Sequence, residues 1–233
     1  MKEYFAILKN EVKVIWNTAR TIYSSPAHWR KNEWVFFICC LLFVVLTFFI
    51  DQAVRSEMAL LHGQYQDQIF NLGHWYGQGT ATFLLFVVFY LSGLVAQRDR
   101  IRFTGLLIGE AYLFSGVATI SLKSLLGRWR PCTHHGSFAF SPFTTGPNEH
   151  LSFPSGHVTI AFALSSVMAG CHANKIWKTG WYLLALITAI SRIYHDDHWL
   201  SDVVCSALIG TTVGIWLTKD YRSKNITIND AHE

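Results

Sequence analysis

The chain has 233 residues, 51% of them hydrophobic and 15% charged, with nine Trp and seventeen Phe. That is too apolar for an ordinary soluble domain of this length and points to a membrane protein. The net charge of +4 favours contact with anionic lipid and gives no reason to invoke nucleic acid as a partner.

Residues 1–32 read as a cytoplasmic arm. Phe5, Leu8, Val12, Ile15, Ala19 and Ile22 recur at spacings of three and four, with Lys and Glu between them. The pattern predicts an N-terminal amphipathic helix ended near Ser24-Ser25-Pro26, lying on the inner leaflet or packed on the inner end of a bundle. It lacks the short apolar core and small-residue cleavage site of a signal peptide. Six spanning helices follow, over 33–50, 79–97, 104–125, 154–171, 177–194 and 201–218. The segment 51–78 reads as a short outer helix or cap with no legible function, and 219–233 as a cytoplasmic tail. The expected fold is therefore all-α, an integral membrane bundle occupying 33–218.

Basic residues set the topology. The arm carries Lys2, Lys9, Lys13, Arg20, Arg30 and Lys31, the loop after the second span Arg98, Arg100 and Arg102, the loop near 172–178 Lys175 and Lys178, and the tail Lys219, Arg222 and Lys224. The opposite side holds only Arg55, Lys123, Arg128, Arg130 and Arg192. Both termini are thus expected in the cytoplasm of a multi-pass inner-membrane protein. Of the five cysteines only Cys132 falls on the outer side, so no disulfide framework is expected.

Three short blocks at the outer ends of these spans carry the chemistry. Lys123 and Arg130 lie seven apart, two helical turns, so both can face one direction if the third span continues that far; Pro131 then ends it. Pro154-Ser155-Gly156-His157 opens the fourth span, where free N–H groups bind anions and Gly156 lets an oxyanion approach the backbone. Ser191-Arg192 ends the fifth span, and His198 and Asp202, at i and i+4, begin the sixth. A carboxylate on one imidazole nitrogen fixes the tautomer and frees the other to attack. Arg192 supplies a planar fork for two phosphate oxygens. Three cations, two histidines and one carboxylate suit transfer of a phosphoryl group to an imidazole.

Together the blocks resemble the complete signature of the type 2 phosphatidic acid phosphatase superfamily, which includes vanadium haloperoxidases and glucose-6-phosphatase. The resemblance runs from residue 123 to 202 with no motif position missing. It implies a six-helix membrane bundle and hydrolysis through a phosphohistidine without metal or other cofactor. His198 is then the nucleophile, oriented by Asp202, and His157 protonates the leaving oxygen. Lys123, Arg130 and Arg192 hold the phosphate, helped by Ser155 and the amide of Gly156. The implied substrate is a lipid phosphate or pyrophosphate on the periplasmic or extracellular face, such as undecaprenyl pyrophosphate, phosphatidylglycerophosphate, phosphatidic acid or a lipid A phosphate. A lipid-to-lipid phosphotransferase, a vanadate haloperoxidase and a non-catalytic lipid-binding or transport protein are the competing readings.

Other polar residues read as bland. Asp196 and Asp197 are expected to be solvated loop carboxylates, because beside a phosphate they would oppose binding. His134, His135 and His150 fit no compact metal spacing and read as a solvated loop. Glu110, inside the third span near its inner end, reads as a protonated or hydrogen-bonded structural acid.

Overall fold

The computed structural model describes the backbone of residues 2–229 and the side chains of residues 8–221. Met1 of the predicted arm and residues 230–233 of the predicted tail lie outside the described residues. So do the side chains of Lys2, Phe5, Arg222 and Lys224.

The chain is helical and divides into two compact units, residues 1–43 and 44–233. The first unit holds α1 (Lys2–Ser24), a 3-10 turn at Ser25–His28 and most of α2 (Lys31–Phe48). Pro26 lacks an N–H and so ends α1 where the sequence placed the stop. Trp29 stacks edge-on against Trp34 at 5.0 Å, and its indole N–H reaches Ser25 Oγ at 2.7 Å. Glu33 caps the start of α2 by accepting from the Arg30 N–H at 2.6 Å.

The second unit contains the end of α2 and then α3 (Asp51–Ala59), α4 (Gln64–Tyr76), α5 (Gly79–Val95), α6 (Asp99–Leu126), α7 (Gly156–Cys171), α8 (Lys175–Tyr194) and α9 (Leu200–Asn229). α7 is the central helix: Ala161, Ala163, Leu164, Ser165 and Val167 are all buried. Small residues let α9 approach it closely. A Cβ on Gly210 would lie 2.3 Å from Thr159 O, and one on Gly214 2.6 Å from Ala163 O.

Among the described residues, three helices are long and apolar enough to cross a membrane: α2, α6 and the Leu200–Tyr221 part of α9. α4 and α5 qualify together as one span bent by 52°, while α7 is apolar but shorter. The predicted second span is therefore continuous, on its N-terminal side, with α4. The segment 51–78 is not a simple cap but two helices, and α4 packs along α8. Thr188 Oγ1 donates to Gly73 O at 2.8 Å and Ser191 Oγ to Phe70 O at 2.7 Å, so two hydroxyls of α8 fasten the α4 backbone.

α6 ends within a residue of the predicted span, so the condition for Lys123 and Arg130 to share a helical face is not met. The helix stops at Leu126 because Gly127 adopts φ +58° and returns its N–H to Lys123 O at 2.8 Å. Arg130 thus lies beyond the helix. An antiparallel bridge between Arg128 and Phe140 closes the loop behind it.

Candidate active site

Lys123 sits in the last turn of α6 and donates through Nζ to Leu151 O. Arg130 lies in the loop beyond. Its Nε donates to Asn148 O at 2.9 Å, one Nη to Asn148 Oδ1 at 2.9 Å, and the other faces Asp197 at 3.2 Å. Arg192, in the last turn of α8, pairs with the same Asp197 carboxylate. Lys123 and Arg130 converge because the loop folds back on itself, and not through a shared helical face.

Ser155 is the N-cap of α7, so Gly156 and His157 occupy its first turn. The Ser155 carbonyl accepts from the Thr159 N–H at 3.0 Å, but its hydroxyl forms no cap bond. Ser155 Oγ and Arg192 Nε are both buried donors without a protein partner. Buried polar groups are satisfied as a rule, so each of these two motif residues keeps a donor for a partner outside the chain. Gly156 leaves that approach open: a Cβ there would meet only Thr119, at 3.7 Å.

His198 lies between α8 and α9. The segment after Tyr194 turns back so that the N–H groups of Asp197 and His198 both reach Arg192 O at 3.2 Å. His198 is buried, and this burial pushes its pKa down to about 3, the hydrogen bond to Asp202 opposing the shift. The ring is therefore neutral at physiological pH, the form a nucleophile needs. Its Nδ1 faces Asp202 Oδ2 at 3.6 Å and Ser152 Oγ at 3.5 Å, which turns Nε2 away from the carboxylate.

The i, i+4 spacing brings His198 and Asp202 together, but Oδ2 of Asp202 is shared. It accepts from Ser152 Oγ at 2.5 Å and from the Trp199 N–H at 2.8 Å, the second bond being the reach-back of a helix N-terminal cap. Asp202 Oδ1 accepts from Arg128 at 2.5 Å, and both side chains are fully buried. Removing either partner of such a pair leaves a buried charge uncompensated, at a cost of about 3–5 kcal/mol.

Asp196 and Asp197 are partly exposed loop carboxylates, but both are paired: Asp196 holds Arg55 bidentately at 2.6 and 2.7 Å, and Asp197 lies between Arg130 and Arg192. In the loop between the first two blocks His135 is exposed and His150 half-buried, and both stack on Trp129, with ring centroids at 3.8 and 3.7 Å. Trp129 is in turn fixed by its Nε1–H, which donates to Ser141 Oγ at 3.2 Å.

Four residues at the site were not singled out by the sequence for any role. Ser152 and Arg128 act on Asp202, Asp51 on Arg128, and His74 of α4 accepts from Arg192 while stacking on His157 at 5.1 Å. For Ser152 and Arg128 the only available signal was closeness to a motif. For Asp51 and His74 there was none, since both reach the site from a segment more than forty residues before the first block.

The family model of the PAP2 superfamily matches residues 104–226. Lipid A 1-phosphatase of Rhizobium johnstonii is 30% identical over 125 residues, 53% of this chain and 48% of that protein. Lipid A 1-phosphatase of Porphyromonas gingivalis is 34% identical over 84 residues, 34% of this chain and 18% of that protein. The chain thus spans at most about half the length of these curated relatives. Among solved structures, Aquifex aeolicus LpxE aligns with a TM-score of 0.56 at 24% identity, covering 73% of this chain and 95% of that one. A PAP2-type phosphatidylglycerolphosphate phosphatase from Bacillus subtilis aligns with a TM-score of 0.56 at 20% identity, covering 80% and 96%. These two share the helical fold. With the matched residues spanning more than half of its length and containing all three sequence blocks, the chain belongs to the PAP2 superfamily.

Proposed function

We propose that this protein is an integral membrane phosphatase that removes phosphate from a lipid phosphate or pyrophosphate through a phosphohistidine. The observation that carries this reading is the pair of orphaned donors, Ser155 Oγ and Arg192 Nε, buried beside a neutral His198 and two further cations. Six spans, cytoplasmic termini and an outward-facing site complete the reading. They rest on the basic-residue count and on helices that coincide with the predicted segments. Residues 1–32 serve as a cytoplasmic arm and 219–233 as a tail.

In the first step Nε2 of His198 attacks phosphorus. A P–N bond forms, the P–O bond to the lipid breaks, and His157 gives its proton to the departing oxygen. Lys123, Arg130, Arg192, Ser155 Oγ and the Gly156 N–H take up the charge on the equatorial oxygens. In the second step His157 takes a proton from water, water attacks phosphorus, the P–N bond breaks and inorganic phosphate leaves. Asp202 holds Nδ1–H throughout and offsets the positive charge on the phosphorylated ring.

Relatives named for lipid A phosphates and for lipid phosphates support a substrate panel of those lipids, to which the sequence reading adds undecaprenyl pyrophosphate and phosphatidylglycerophosphate. The deciding experiment is phosphate release from that panel by detergent-purified protein with EDTA present, beside His198→Ala. Release by the native protein alone supports the reading. Release that EDTA abolishes, or that His198→Ala retains, overturns it.

A further inference from the structure

One charged group at the site has no part in the two steps above. Arg128 is fully buried, with all five of its N–H groups engaged. Nε and Nη2 donate to Ser137 O at 2.9 and 2.5 Å, and Nη2 also to Asp51 Oδ2 at 2.6 Å. Nη1 donates to Ser201 Oγ at 2.6 Å and to Asp202 Oδ1 at 2.5 Å. The rings of Phe48, Trp199 and Phe140 lie 4.2, 5.5 and 5.6 Å from its Cζ. A guanidinium held through five donated hydrogen bonds and flanked by three aromatic rings is fixed in orientation.

Asp51 closes the arrangement from α3. It is as buried as Arg128, and its Oδ1 accepts from the Ser201 N–H at 2.8 Å while Oδ2 accepts from Ser201 Oγ at 2.6 Å. Two carboxylates thus share one cation. If Arg128 paired with Asp202 alone it would neutralise that carboxylate, and Asp202 would hold Nδ1–H of His198 less firmly. Because Asp51 takes part of the Arg128 charge, Asp202 keeps negative character toward the imidazole. Fixing Oδ1 also fixes the direction of Oδ2, the oxygen turned to Ser152, Trp199 N–H and His198.

We propose that Arg128, clamped by Asp51, is the positioning residue for the Asp202–His198 pair. This inference rests on the reading of His198 as the nucleophile. Neither Arg128 nor Asp51 touches the phosphate cradle, so their loss slows chemistry and leaves phosphate binding in place.

The test uses the full chain in detergent with dioctanoyl phosphatidic acid as substrate, inorganic phosphate as competitive inhibitor, and thermal melting of each variant. Arg128→Met is expected to lower kcat about 100-fold and Asp51→Asn about 10-fold, the range set by small misplacement of a reacting group. The inhibition constant for phosphate stays within about twofold, because transition-state and ground-state interactions separate. Arg128→Lys recovers part of kcat, and Asp51→Asn adds nothing on top of Arg128→Met, since the two act as one unit. If Arg128→Met does not fold, Arg128→Lys and Asp51→Asn carry the test. Unchanged kcat in those two variants overturns the proposal. So does a phosphate constant that weakens in step with kcat, which marks collapse of the whole site. Failure of the native protein to release phosphate, with His198→Ala alike, instead sinks the phosphatase reading.

Discussion

Arg192 donates through Nη1 to Nδ1 of His74, and the His74 ring stacks on His157 at 5.1 Å and 28°. One residue of α4 therefore links a guanidinium of the cradle to the histidine assigned to the leaving group. The contact also fixes a tautomer. A guanidinium can only donate, so Nδ1 of His74 is the acceptor and its proton sits on Nε2; the Gln78 side-chain amide, 3.0 Å away, must then turn its oxygen to the ring.

From this geometry, His74→Phe is expected to keep the ring against His157 and lose the acceptor for Arg192. The expected outcome is a fall in kcat/KM of about 10-fold, the worth of one hydrogen bond to a charged group. His74→Ala, which loses both contacts, should fall further. Equal activity of His74→Phe and native protein in steady-state phosphate release would remove His74 from the site.

Asp197 lies between the two arginines that are expected to hold phosphate. A substrate phosphate must share those arginines with a carboxylate or displace it, and like charges at this range repel. Asp197→Asn is expected to tighten inhibition by inorganic phosphate about 10-fold, or ~1.4 kcal/mol. Weaker inhibition would show instead that the carboxylate holds Arg130 and Arg192 in position for the ligand.

The depressed pKa of His198 makes stability depend on pH. Burial lowers it from 6.5 to about 3 in the folded protein. Between those values the unfolded chain binds a proton that the folded chain excludes, so stability falls as pH drops through 6.5 toward 3. The slope reaches about 1.4 kcal/mol per pH unit for one such group. Melting in detergent should therefore come at lower temperature at pH 5 than at pH 7.5, and His198→Gln should flatten the difference. An identical slope in the variant would assign it to other groups.

Much of this was legible in the chain because it is periodic or local. Apolar runs located α2, α5, α6, α7, α8 and α9, and spacing alone placed His198 one turn before Asp202. What stayed hidden depends on contacts distant in sequence. Asp51 meets Arg128 and Ser201 across the fold, and nothing in residues 51–59 signals a buried anion. His74 reads as one polar residue among several in α4 until Ser191 and Thr188 fasten that helix against α8. Asp197 repels phosphate but is attracted to the arginines that bind phosphate, and only the fold brings those arginines to it. Pro131 drew attention as a helix stop, while Gly127, four residues earlier, is the residue that ends α6.

Gly127 offers the sharpest separation of conformation from packing. Gly127 and Gly136 both have positive φ, at 58° and 89°. A side chain at either pays the left-handed penalty of about 1–2 kcal/mol. Their surroundings differ: a Cβ on Gly127 would sit 1.8 Å from Ser141 O, whereas one on Gly136 meets nothing within 4 Å. The Gly127 carbonyl also accepts from the Ser141 N–H at 2.7 Å, and this pairing directs the next residue, Arg128, into its buried seat. Gly127→Ala is therefore expected to lower the melting temperature well beyond Gly136→Ala and to reduce phosphate release, while Gly136→Ala keeps activity close to native. Equal melting temperatures for the two variants would mean that the turn yields without disturbing Arg128, and that α6 can end without this contact.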